Sequence, residues 1–155
     1  TFVGWYKEPS LTNAWVFATD TVTADTTLYA MWKITTLISV DVTWGSMEFA
    51  YSDGTWNPQK HQYEGAGWTH GQNANKISVA STSNVPVTVS YSYVRETGYG
   101  AVNGSFTDGT NPVNSHGLSA GNVTPQSYDA YLTLSGKPPE VYLGKIGSVT
   151  VTITS

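Results

Sequence analysis

Apolar and polar residues alternate with a period of two through most of this chain. Ile38, Val40, Val42 and Trp44 alternate with Ser39, Asp41 and Thr43. That spacing predicts a strand with one buried and one wet face, ended by Gly45-Ser46. Met47, Phe49 and Tyr51 predict a second strand, and Asp53-Gly54 a turn after it. Lys76-Ile77-Ser78-Val79 predicts a third. Val87, Val89, Tyr91 and Tyr93 give the cleanest alternation, and Pro86 marks a strand start or a sheet edge. A shorter strand is expected over 101–106, a long loop over 107–126, and a strand with Tyr128, Ala130, Leu132 and Leu134 inward. Val149, Val151 and Ile153 make the last strand. No stretch carries a helical period. Short alternating strands separated by turn residues predict an antiparallel β-sandwich over residues 34–155. Its expected core is Val40, Val42, Val89, Tyr91, Leu132, Leu134, Val151 and Ile153.

The first 33 residues follow a different rhythm. Phe2-Val3-Gly4-Trp5-Tyr6 suits a half-buried strand, and Gly4 inside it predicts a bulge or a close backbone approach. Lys7-Glu8-Pro9-Ser10 predicts a turn. Trp15-Val16-Phe17 and a polar connection over 20–25 lead to a closing strand, Thr27-Leu28-Tyr29-Ala30-Met31-Trp32. These aromatics at this spacing resemble the internalin-type B repeat, the Listeria–Bacteroides repeat of bacterial surface proteins. The resemblance covers about a fifth of the chain. It implies a small β-grasp-like unit used in tandem as a stalk or spacer, with some members touching host cells. The family's unit starts with a further strand that does not precede Phe2 here. Residues 1–33 are therefore expected to be the C-terminal half of a repeat with an open strand edge. Phe2–Tyr6 or Thr27–Trp32 would then pair with the sandwich or, between chains, with a second copy. Lys33-Ile34-Thr35-Thr36 is the expected junction. Beyond it, 84–91 and 143–153 loosely resemble adhesin-type or immunoglobulin-like modules of Gram-positive surface proteins.

Composition narrows the function. Only 12% of the 155 residues are charged, about half the usual share of roughly 25%, which suits strands whose outer faces are hydroxyls and amides. A net charge of −4 leaves no basic footprint for nucleic acid. The absence of cysteine removes disulfides, thiolate metal sites and thiol nucleophiles. No apolar run approaches the roughly 20 residues of a membrane helix, so no membrane insertion is expected in this segment. The location implied by the repeat is extracellular, cell wall-associated or secreted.

No residue set marks a catalytic site or a cofactor site, and none is expected. His61, His70 and His116 lack metal-ligand spacing and are assigned to solvated loops. Asp41 and Asp129 fall on polar phases and are expected to face solvent. Asp53-Gly54 and Asp108-Gly109 resemble the start of calcium loops but lack the ligands that should follow, so they are assigned to turns. Asn103-Gly104-Ser105 and Asn122-Val123-Thr124 match the glycosylation sequon, incidental in a bacterial protein. The segment from Trp56 to Trp68 is the one binding candidate. Part of it is expected to pair with the strand at 47–51 and the rest to be loop. Trp56, Tyr63 and Trp68 offer rings for stacking on sugars, and Asn57 and His61 offer polar groups beside them. The competing assignment is that these rings cap the sandwich. Coplanar exposed rings among Trp56, Tyr63, Trp68 and Tyr99 would favour sugar; buried rings would favour a scaffold. Two functions follow as expectations: a non-catalytic stalk, spacer or adhesion segment of a surface or secreted protein, or a carbohydrate-binding module attached to a glycan-active enzyme. The partner in either case is a cell-surface glycan or a host protein.

Overall fold

The computed structural model describes residues 1–121, 124–139 and 144–155. Asn122 and Val123 of the second sequon lie outside them, as does Leu143 at the start of the adhesin-like stretch. Every regular element among the described residues is a β-strand, and every pairing is antiparallel. The chain divides into two compact units, Thr1–Thr36 and Leu37–Ser155.

In the first unit, β1 (Phe2–Tyr6) pairs with β2 (Tyr29–Trp32). The register slips between Phe2 and Gly4, so the glycine marks a bulge. A Cβ on Gly4 would meet nothing within 4 Å, which removes the close-approach alternative. The two strands expected to seek outside partners thus pair with each other. The far side of β1 is taken up too: the Trp15 N–H donates to the Trp5 carbonyl at 2.7 Å, and the Lys7 N–H to the Asn13 carbonyl at 2.9 Å. Two carboxylates organise the long connection. Glu8 accepts from the Thr12 hydroxyl (2.6 Å), the Asn13 N–H (2.7 Å) and the Thr12 N–H (3.0 Å). Asp20 accepts from Lys7 and from the Val16 N–H, both at 2.7 Å. These donors favour the ionised forms, so both carboxyls titrate below their ordinary values. For Glu8 the Thr12 hydroxyl contributes most, and for Asp20 the Lys7 ammonium.

The second unit is a two-sheet sandwich. Its strands are β3 (Val40–Trp44), β4 (Phe49–Ser52), β5 (Thr55–Asn57), β6 (Gln62–Glu64), β7 (Gly67–His70), β8 (Lys76–Ser81), β9 (Val87–Arg95), β10 (Asn103–Thr107), β11 (Ser115–Leu118), β12 (Gln126–Ser135) and β13 (Gly147–Thr154). One sheet runs β10-β12-β8-β3 and the other β11-β9-β13. Ile77, Val79, Phe106, Ala130, Leu132 and Leu134 face Val87, Val89, Tyr91 and Leu118 across the core. Tyr91 lies 5.5 Å from Phe106, ring to ring, across the gap. All eight expected core positions join this cluster. Val89, Tyr91, Leu132 and Leu134 are buried, while Val40, Val42, Val151 and Ile153 pack against it half-buried. Burial pushes the Tyr91 hydroxyl up to about 12.

Several expectations change. The loop expected over 107–126 contains β11, which pairs with β9. His116 therefore belongs to a strand, stacked on Tyr128 with ring centroids 3.6 Å apart, and His70 belongs to β7. Asp129 is half-buried. Lys76 sits 2.8 Å from one of its oxygens, and the Ser78 hydroxyl donates to the other at 2.6 Å. Burial opposes its ionisation, but these two donors outweigh it and hold the carboxyl below its ordinary range. Asp108 does sit in a turn, accepting from the N–H groups of Thr110 and Asn111.

Candidate functional site

The segment 56–68 divides between two hairpins. β4 pairs with β7, placing Tyr51 opposite Trp68, and a smaller hairpin of β5 and β6 fills the connection between them. Part of the segment thus pairs with the strand after Met47, as expected. The remainder is a hairpin rather than a loop. In it Trp56 stands opposite Tyr63 and Asn57 opposite Gln62. The turn is set locally. The Asn57 side-chain oxygen accepts from the N–H groups of Gln59 (3.0 Å) and Lys60 (3.1 Å), the Asx turn that asparagine favours. His61 completes it at φ 53°.

A polar lock lies beside the rings. Glu64 accepts from Lys60 at 2.7 Å and from the Asn57 amide at 2.8 Å. Lys60 contributes most to holding its carboxyl below the ordinary value, followed by Asn57 and Gln62. Both ends of the Asn57 amide are therefore committed to the turn and to Glu64. Asn57 is a fold-forming residue in this geometry, Gln62 also donates to Glu64 at 3.4 Å, and the side chains left to meet a ligand are the rings with Gln59.

The rings divide the same way. Trp56 is 48% exposed and Tyr63 62%, so neither serves the core. Their centroids are 5.3 Å apart at 61°, and His61 meets Trp56 edge-on at 6.5 Å. This makes an aromatic corner, not a flat platform. Trp68 instead packs against the core, meets Tyr51 at 5.3 Å, and donates its indole N–H to the Gly136 carbonyl at 2.8 Å. Tyr99 is 1% exposed. Trp56, Asn57, His61 and Tyr63 come together; Trp68 does not join them.

Sequence reasoning passed over a second exposed aromatic group. Phe2 touches Trp5 at 5.6 Å and Trp32 at 5.3 Å, and all three are exposed. Phe2 and Trp32 are register partners, and the register slips between Phe2 and Gly4. Within the second unit, a cavity of about 320 Å³ opens between the sheets, lined by Trp44, Met47, Phe49, Tyr93, Leu132 and Val149 among others. Its lining is mainly apolar, and the Tyr93 hydroxyl in it donates to the Ile146 carbonyl. Among the described residues, no three His, Asp or Glu side chains gather as a metal would require. No helix of the described residues is long and apolar enough to cross a membrane.

The described residues make an all-β chain of two units, a short acid-locked hairpin unit and a two-sheet sandwich. Residues 1–31, from β1 to Met31 in β2, match the Listeria-Bacteroides repeat domain. That family supplies repeat modules of surface proteins and is typically non-catalytic. A provisionally named Gly-rich membrane protein of Evansella cellulosilytica is 61% identical over 33 residues, 21% of this chain and 4% of that protein. A second provisionally named membrane protein of the same organism is 37% identical over 75 residues, 43% of this chain and 11% of that protein. The matched stretches thus span a small part of either relative. These likenesses point to the cell envelope. No solved structure matches the chain.

Proposed function

We propose that this chain is a non-catalytic spacer-and-display segment of a bacterial surface or secreted protein, working outside the cell. Residues 1–33 act as part of a stalk repeat, and residues 34–155 act as a sandwich that carries loops and hairpins outward. The observation that carries this reading is the repeat hairpin, matched in sequence and held by local hydrogen bonds to Glu8 and Asp20. A spacer needs units held by contacts within themselves, and these bonds all lie within residues 7–20. Protease treatment of intact source cells tests it. Peptides from this chain should be released before lysis. Release only after lysis would reject the extracellular assignment.

A second reading is contact with a surface glycan; it rests on the exposure of Trp56 and Tyr63, whose rings are not coplanar. Trp56 and Tyr63 expose large rings that the core does not use, and such rings stack on sugar faces. Trp56→Ala should abolish glycan retention and leave the melting temperature within about 2 °C of the parent, as surface changes do. Trp68→Ala should lower the melting temperature, because it empties a packed site and leaves the Gly136 carbonyl without its donor. A parent protein retained by no glycan on a broad array rejects this reading and leaves the host-protein partner. Strand pairing between chains through residues 1–33 would have to use the outer edge of β2, since residues 13–15 bond to β1.

A further inference from the structure

The sandwich has four edge strands, and they are not alike. β10, β11 and β3 have five, four and five residues, and β3 carries the exposed Asp41 at its second position. Short strands and edge charges are the usual protection against edge-to-edge pairing. β13 has neither. It runs eight residues, Gly147–Thr154, roughly 26 Å at 3.3 Å per residue. No ionisable side chain and no proline occurs from 146 to 155. Among the described residues β13 is bonded to β9 alone.

Two hydrogen bonds show which backbone groups of β13 are free. The Tyr91 N–H donates to the Asn114 carbonyl at 2.9 Å, away from β13. The Glu96 N–H donates to the Ile146 carbonyl at 3.0 Å, toward it. Antiparallel partners alternate between bonded and non-bonded pairs. Tyr91 is registered with Val151, so that pair is a non-bonded one. Val151 therefore turns its N–H and C=O to the open edge, and so do Gly147, Val149 and Ile153. These odd positions are also the half-buried face, while Thr150, Thr152 and Thr154 are exposed.

We propose that β13 pairs antiparallel with β13 of a second copy of this chain, about a two-fold axis at Thr150. Odd residues must oppose odd residues, because only they carry free backbone groups; a slip of one residue would also turn the aliphatic face to water. Centring on Thr150 sets Gly147 against Ile153 and Val149 against Val151, twice each. Four bonded pairs exchange about eight ladder hydrogen bonds. The aliphatic face then continues into the second copy, giving one six-stranded sheet. Thr150 faces its own counterpart, with no like charges opposed at any step of the ladder. The partner is another copy because two identical uncharged strands satisfy this register without any other sequence.

Sedimentation of the whole chain from micromolar to millimolar concentration tests the pairing. The weight-average mass should rise from 16.7 kDa toward twice that value. Thr150→Lys sets two ammonium groups against each other at the axis and should weaken association roughly tenfold or more, with unchanged circular dichroism and melting. The chain has no cysteine, so Thr150→Cys introduces a single thiol. In the paired state the two Cα atoms at this non-bonded position lie about 4.5 Å apart, within disulfide reach. Mild oxidation should give a covalent dimer, and Thr154→Cys should not. A monomer at every concentration overturns the proposal. So does a dimer indifferent to Thr150→Lys, or equal cross-linking of Thr150→Cys and Thr154→Cys.

Discussion

Tyr93 is held between two glycines from different sheets, and Gly104→Ala tests that clamp. A Cβ on Gly104 would collide with Cγ of the Tyr93 ring and come within 2.6 Å of Cδ1 and 2.9 Å of Cβ. A Cβ on Gly147 would collide with the other end, at Cε2, Cζ and the hydroxyl. The hydroxyl donates to the Ile146 carbonyl at 3.0 Å, so the ring cannot swing clear without losing that bond. Gly104 contacts the root of the side chain, where a rotamer change gives little relief. Its φ is not in the left-handed region, so the backbone accepts alanine and the cost is steric. Overpacking a filled site costs about 1–3 kcal/mol. Against this, alanine gains about 0.5–1 kcal/mol over glycine in a strand. The net expectation is a loss of about 1–2 kcal/mol, or roughly 3–8 °C in melting temperature for a domain of this size. The cycle with Tyr93→Ala isolates the cause. In that background the same substitution should be neutral or stabilise by up to about 1 kcal/mol. Urea titrations of the four proteins give the coupling energy. An unchanged melting temperature for Gly104→Ala, or an equal cost with and without the ring, would refute the clamp.

Two further outcomes are expected. Glu8 and Asp20 titrate below their ordinary values of 4.5 and 3.8 in the folded chain. Their contribution to the repeat hairpin is thus complete above those values and is lost as pH falls through the lowered ones; amide exchange at Thr12, Asn13 and Val16 should accelerate only in that acid range, and Glu8→Gln should flatten the dependence at Thr12 and Asn13. Val89 is 0% exposed between the sheets. Val89→Asp buries a charge with no partner, at a cost of several kcal/mol, and calorimetry of the variant should show no cooperative transition for residues 37–155.

What the sequence determined by itself is the set of strands whose side chains must alternate. Val87 to Tyr93, Tyr128 to Leu134 and Val149 to Ile153 each bury one face, and burial on one face forces a period of two into the residues. The two strands of the repeat were legible from their aromatic and β-branched runs, but their pairing with each other was not. The acid-locked turn acts over short distances, whereas Phe2 meets Trp32 from the far end of the unit. β11 was not legible, because Ser115-His116-Gly117-Leu118 is short and only Leu118 in it is a core apolar residue, so no alternation shows. The candidate site was half legible. Trp56 and Trp68 belong to one short stretch and look alike in sequence. Only the tertiary structure separates them: β7 bonds to β4 and carries Trp68 against the core, while β5 and β6 turn back on each other and leave Trp56 in solvent. The partners across the gap, Tyr91 with Phe106 and Tyr93 with Gly104, and the open edge of β13 were likewise settled by how the sheets pack. Each depends on residues far apart in the chain, and a local pattern records which face is buried but not what buries it.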